Sequence, residues 1–272
     1  WYIWTTVCMR AFTYAESIGY TKAAAVGVGF GATHVFKATA VSEFPVCAVS
    51  VFSPEFFPQS DNPDFLSISV SLDITGYAHL LKVPYLQLCC SNDPSLDKVN
   101  ELCYISSEKD LLSLTTHIEK YKKELIYIAP RVDKVYTEEF ASDLDFFISS
   151  YFDDKYRDNY SEYGIVPQVT FSVSGEENKM YFSVNCAEKP KKIELYVSHA
   201  IENPAFRNWR SIPVERVGES EYIGYTEVYS ETKPVYGFAS ITTESGFTFS
   251  TQLIKKIPSS LKIVPSKIAK KR

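Results

Sequence analysis

The order of apolar and polar positions changes character once along this chain, near residue 160. Before that point, apolar residues recur at helical spacing in some stretches and run unbroken in others. The pattern predicts a helix over 3–18, a strand over 23–28, a helix over 31–41 and a strand over 45–52. After a long connection come a strand over 84–90, a helix over 107–121, a strand over 124–129 and a helix over 137–152. Unbroken runs such as Val46-Cys47-Ala48-Val49-Ser50-Val51-Phe52 and Tyr85-Leu86-Gln87-Leu88-Cys89 are expected where both faces of a strand are covered. Strands alternating with helices predict parallel strands joined by crossovers.

Beyond the polar, tyrosine-rich segment Asp153 to Gly164, the period falls to two. Candidate strands span 168–174, 178–186, 191–198, 210–217, 221–229, 234–243 and 246–255. Turn chemistry separates several of them, as at Gly175-Glu176-Glu177-Asn178, Gly218-Glu219-Ser220 and Glu244-Ser245-Gly246. Short alternating strands at such intervals predict a β-sandwich of immunoglobulin or fibronectin architecture. The expected fold class is α/β plus all-β: a parallel-sheet domain over 1–158, a sandwich over 165–258 and a basic tail over 259–272.

Composition narrows the partners. A formal charge of -5 and a pI near 5.5 oppose nucleic-acid binding, which needs a concentrated basic face. The short basic run Lys262, Lys267, Lys270, Lys271 and Arg272 reads as a solvated terminus. No apolar run reaches the roughly 18 to 20 residues needed to span a bilayer, so the chain reads as soluble. It opens on Trp1 without a leader, as though its start were missing, and its compartment is unknown. The cysteines lie in apolar runs without a C-x-x-C pair, and the histidines are scattered, so no metal site and no cofactor are expected. Asp61, Asn62 and Asp64 lack EF-hand spacing and read as a turn.

The strongest chemical signal is Gly27-Val28-Gly29-Phe30-Gly31, a strand running through a glycine-rich turn into a helix. It has the form of a nucleophile elbow, yet its central position is Gly29. Two further segments carry chemistry at strand ends: Val83-Pro84-Tyr85-Leu86-Gln87-Leu88-Cys89-Cys90-Ser91-Asn92-Asp93-Pro94 and Leu125-Ile126-Tyr127-Ile128-Ala129-Pro130-Arg131-Val132-Asp133-Lys134.

Together these segments resemble the C-terminal half of an α/β-hydrolase of the dienelactone hydrolase and acetyl xylan esterase type, over roughly residues 1–155. Relatives of that type that carry a β-sandwich after the hydrolase domain fit the closing strand Phe249-Ser250-Thr251-Gln252-Leu253. The resemblance implies a carboxylic ester hydrolase with Gly29 at the nucleophile position, Asp93 at the acid position and Lys134 at the histidine position. A triad needs a hydroxyl that attacks and an imidazole that carries its proton near neutral pH. Glycine supplies no oxygen, and lysine, with an ordinary pKa of about 10.4, is no base at pH 7. The expectation is therefore an inactive pseudo-esterase with a binding or structural role.

Two alternatives stand beside it. One is a carbohydrate esterase or deacetylase with a rearranged site, for which Cys89, Cys90 and His34 are the candidates. The other is glycan or protein binding through the sandwich, with Tyr222, Tyr225, Tyr229, Tyr236 and Trp209 as a platform. The backbone N–H groups of Phe30, Gly31 and Ala32 at the helix start suit a small anionic or ester ligand. In the resembled fold the elbow follows the fifth of about eight strands. Strand 23–28 would then be an unpaired edge, which an upstream segment, another chain or the sandwich itself must cover.

Overall fold

The computed structural model describes residues 2–56, 62, 64–65, 72–78, 80–104, 124–131, 135–152 and 167–265. The expected helix over 107–121, Asp61, Lys134 and the end of the basic tail lie outside the described residues.

Helix α1 (Tyr2–Ser17) leads to β1 (Ala23–Val28), α2 (Phe30–Val41) and β2 (Pro45–Val51). Past a single helical turn at Thr75–Ala78 come β3 (Tyr85–Cys90), α3 (Leu96–Tyr104), β4 (Glu124–Ala129) and α4 (Glu138–Phe152). The four strands pair in parallel in chain order, as their unbroken apolar runs required. Helix α3 is absent from the expected elements, although Leu96, Val99 and Leu102 recur at helical spacing and are buried. Helix α4 buries Phe140, Asp143, Phe147 and Ser150, one stripe of an amphipathic helix.

The second half adds β5 (Val169–Glu176), β6 (Lys179–Cys186), β7 (Lys192–His199), β8 (Arg210–Ile212) and β9 (Glu215–Arg216). It closes with β10 (Glu221–Glu227), β11 (Val235–Thr242), β12 (Thr248–Ser250) and β13 (Ile254–Lys256). Strands β5, β6, β10 and β9 form one antiparallel sheet. The others join the parallel strands in a nine-stranded sheet of order β1-β2-β3-β4-β12-β11-β7-β8, with β13 on β11. The α/β half and the β half therefore share one mixed sheet.

The join is narrow. Ser250 pairs with Ile126 across β12 and β4, and the Ser250 Oγ accepts the Ile128 N–H at 3.0 Å. A side chain thus supplies a ladder bond that the short strand cannot. On one face of the long sheet, α2 and α3 contribute Phe36, Leu96 and Val99 to a core that runs on to Tyr236 and Phe238. On the other, Phe140 and Phe147 of α4 lie in one core with Phe182 and Val184 of β6, so helix and second sheet lie side by side.

Strand β1 ends the sheet, and Val26 and Val28 are 42% and 58% exposed there. Their ladder partners Val49 and Val51 on β2 are fully covered. Helix α1 rests on α2 yet buries none of its residues, leaving Tyr2, Ile3 and Trp4 exposed. The strands of the β half join the long sheet beyond β4, at the end away from β1, so they do not pair with the β1 edge. Among the described residues, no helix is long and apolar enough to cross a membrane.

Candidate functional site at the rim of the parallel strands

Parallel sheets place ligand chemistry outside the carboxyl ends of their strands. Here those ends are knitted into one rim. The Gly29 N–H donates to Val51 O at 2.8 Å, Phe52 N–H to Leu88 O at 2.8 Å, and Ser91 N–H to Ala129 O at 2.9 Å. Neighbouring strands lie about 4.8 Å apart, so the elbow and the end of β3 are roughly 10 Å apart across the rim.

Three residues of this rim have positive φ: Gly29 at 53°, Phe52 at 64° and Arg131 at 62°. Gly29 also has ψ of -118°, outside the left-handed helical basin, a conformation only glycine adopts without strain. The elbow's backbone shape is thus present with no side chain on it. A Cβ built at Gly29 would meet no atom within 4 Å, so the position opens into space. Gly27 is the opposite case: a Cβ there would lie 2.6 Å from Ala32 Cα and Gly31 O, because β1 and α2 touch backbone to backbone. Behind the turn after β2, the buried Gln87 amide donates to Phe52 O at 2.8 Å and accepts from Tyr85 OH at 2.6 Å. That network explains a polar residue inside an apolar strand.

Of the backbone donors expected at the start of α2, the Ala32 N–H is engaged, donating to Gly29 O at 3.0 Å. Phe30 is 48% exposed, and its ring meets the His34 ring edge-on at 4.7 Å. His34 is buried against α1, with its Nδ1 3.2 Å from Thr5 Oγ1. Burial and the nearby Lys37 hold its pKa below the ordinary value. Cys89 lies fully buried beneath α2 and α3, where burial pushes its thiol well up, and Cys90 faces the opposite core. A relocated Cys–His pair is not assembled from these residues.

Asp93 is buried at the end of β3. Its Oδ1 accepts the Ser95 N–H at 2.8 Å and its carbonyl accepts Leu96 N–H at 3.0 Å, which caps α3. The second oxygen, Oδ2, is buried without a hydrogen-bond partner among the described residues. Around it the loop after β3 is clamped by the β half. Trp209 Nε1 donates to Ser91 O at 3.0 Å, and Asn92 Nδ2 donates to Arg207 O at 2.9 Å. Arg207 itself is buried, forks onto Asp97 at 2.5 and 2.6 Å, and stacks 3.7 Å above the Tyr236 ring. Nothing in the sequence pattern singles out Arg207.

The expected aromatic platform is dispersed. Trp209 and Tyr236 are buried in the core shared with α2 and α3, and Tyr222 packs inward between the sheets. Tyr229 sits beside His199, and Tyr225 alone of the set stands on the outer face of β10, opposite Tyr181. Two hollows lie elsewhere: one of about 910 Å³ between α1, α2 and Tyr77, which no rim residue lines, and one of mixed lining on the outer face of the four-stranded sheet. Among the described residues no cluster of His, Cys, Asp or Glu could hold a metal ion, and Asn62 Oδ1 accepts the Asp64 N–H in a local turn.

No family model and no curated protein matches this chain. Among solved structures, it is similar to an esterase from Pyrococcus furiosus, with 11% identity over 54% of this chain and 60% of that one, TM-score 0.38. It is also similar to a carbohydrate-binding module of family 56, a β-1,3-glucan binding domain, with 8% identity over 33% of this chain and 98% of that one, TM-score 0.26. OgpA from Akkermansia muciniphila matches at 9% identity over 80% of this chain and 66% of that one, TM-score 0.25. At identities and scores this low none of the three carries a functional argument, and the chemistry rests on the geometry of the rim.

Proposed function

We propose that this chain is an α/β-hydrolase-like protein that binds without hydrolysing. The observation that carries this reading is Gly29: the turn keeps its positive φ and opens into space, while the atom that would attack a carbonyl is absent. Loss of the nucleophile alone lowers kcat on the order of a millionfold in a serine-protease triad, so an intact acid does not rescue turnover. Lys134 at the histidine position would deepen the loss. The ligand-facing remnant is the start of α2, where the Phe30 and Gly31 backbone suits a small anion or the carbonyl of an ester. The open β1 edge, with exposed Val26 and Val28, supports completion of the sheet by further polypeptide, from an upstream segment or another chain.

One observation favours the rival reading, a carbohydrate esterase or deacetylase whose nucleophile comes from outside the described residues. Asp93 is kept buried, with Oδ2 unpartnered among the described residues, as an acid awaiting a base would be. Fluorophosphonate labelling followed by intact-mass spectrometry separates the two. The proposed function predicts no adduct, whereas a single adduct abolished by unfolding would establish the esterase.

A further inference from the structure

The outer face of the four-stranded sheet carries chemistry that the rim does not use. Strand alternation puts Tyr181 and Tyr225 directly opposite each other on this face, with Ser174 beside Tyr181 on the next strand. One step along, Ser172, Ser183, Ile223 and Glu215 form the next cross-strand row. These side chains line a hollow of about 1020 Å³. The two tyrosine rings lie 5.6 Å apart, tilted by 44°, and Tyr225 is 47% exposed. Ser183 Oγ donates to Glu221 Oε1 at 2.8 Å and so fixes that carboxylate at the wall of the hollow.

The chemistry of the lining selects its ligand. Carboxylates from Glu176, Glu215 and Glu221 face the hollow, and Lys179 lies beside it, 4.2 Å over the Tyr225 ring. That balance repels phosphates, uronates and other polyanions. An all-apolar ligand would leave the serine hydroxyls and carboxylates without partners, at a cost for each. What fits is a neutral molecule with a flat C–H face for the tyrosines and a rim of hydroxyls to donate to the carboxylates. Sugars have both. The volume is at the upper end of small-ligand sites, which suits several linked rings and not one.

We propose that this hollow binds a neutral oligosaccharide, with Tyr181 and Tyr225 as stacking surfaces and Glu221 as the hydroxyl acceptor. The site goes beyond the non-hydrolytic reading and does not rest on it. Isothermal titration of the full chain with cello-, laminari-, xylo- and malto-hexaose tests it. Saturable binding to at least one hexasaccharide is expected, weakened tenfold or more by Tyr225→Ala, severalfold by Glu221→Gln, and little by Tyr225→Phe. Tyr229→Ala, outside the hollow, should leave binding unchanged. Absence of binding to all four sugars, binding indifferent to both Tyr225→Ala and Glu221→Gln, or preference for polygalacturonate over the neutral sugars overturns the proposal.

Discussion

Asp143 gives the sharpest test of how the two halves are held together. It lies on the buried stripe of α4, and its Oδ1 accepts the Thr248 N–H of β12 at 2.9 Å. Burial, with a smaller contribution from Glu139, raises its pKa from an ordinary 3.8 to about 7. The folded protein therefore favours the neutral acid. The stability this contributes is full below the unfolded pKa and is lost as pH rises through the folded value. At about 1.4 kcal/mol per pH unit, the loss between pH 4 and pH 7 is roughly 4 kcal/mol. Asp143→Asn keeps the acceptor for Thr248 and removes the charge, while its buried amide N–H group costs on the order of 1–3 kcal/mol at all pH values. Urea unfolding followed by tryptophan fluorescence at half-unit steps from pH 4.5 to 8.5 reads the difference. The variant should be the less stable protein at pH 4.5 and gain by several kcal/mol relative to the wild type by pH 8.5. A stability difference that does not change with pH would refute burial of an ionisable Asp143 at the α4–β12 contact.

Other substitutions probe the elbow and the clamp. Gly29→Ala should destabilise by about 1–3 kcal/mol through backbone strain alone, with no steric clash. Gly27→Ala should cost as much or more, because α2 must move off β1, and thermal unfolding of the two variants should be accompanied by weaker packing of α2 only for Gly27→Ala, seen as faster amide exchange over 32–40. Arg207→Met should lose about 2–4 kcal/mol by urea unfolding, since it strips the partners of Ile201 O and Glu202 O as well as the Asp97 pair. Removing Arg207 leaves only the half-exposed Asp97, which rehydrates, whereas Asp97→Asn leaves the fully buried Arg207 guanidinium without its counter-charge, so Asp97→Asn should cost at least as much, about 3–5 kcal/mol.

The parallel half was legible because its signals are local. Unbroken apolar runs marked β2 and β3, the glycine spacing marked the elbow, and Asp93 sits where the strand-end pattern put it. The shared sheet was not legible, since β12 touches β4 through one paired residue far away in sequence. The aromatic platform failed for a readable reason. Strand β11 runs Val235-Tyr236-Gly237-Phe238-Ala239 without polar alternation, the mark of a strand covered on both faces, and it is buried almost throughout. Treating it as period two placed Tyr236 outside. Asp143 was hidden in plain view: its spacing from Phe140 and Phe147 puts it on the buried stripe, but a carboxylate in a helix is usually solvated. Tyr181 became a candidate only when pairing set it against Tyr225.

The proposed function holds that the glycine turn at Gly29 does no ester chemistry. Initial rates of p-nitrophenyl acetate hydrolysis, measured for purified wild type and Asp93→Ala across pH 6 to 9, test it directly. Rates for both proteins should equal that of buffer with an inert protein at the same concentration. Saturable turnover by the wild type that Asp93→Ala abolishes would contradict it.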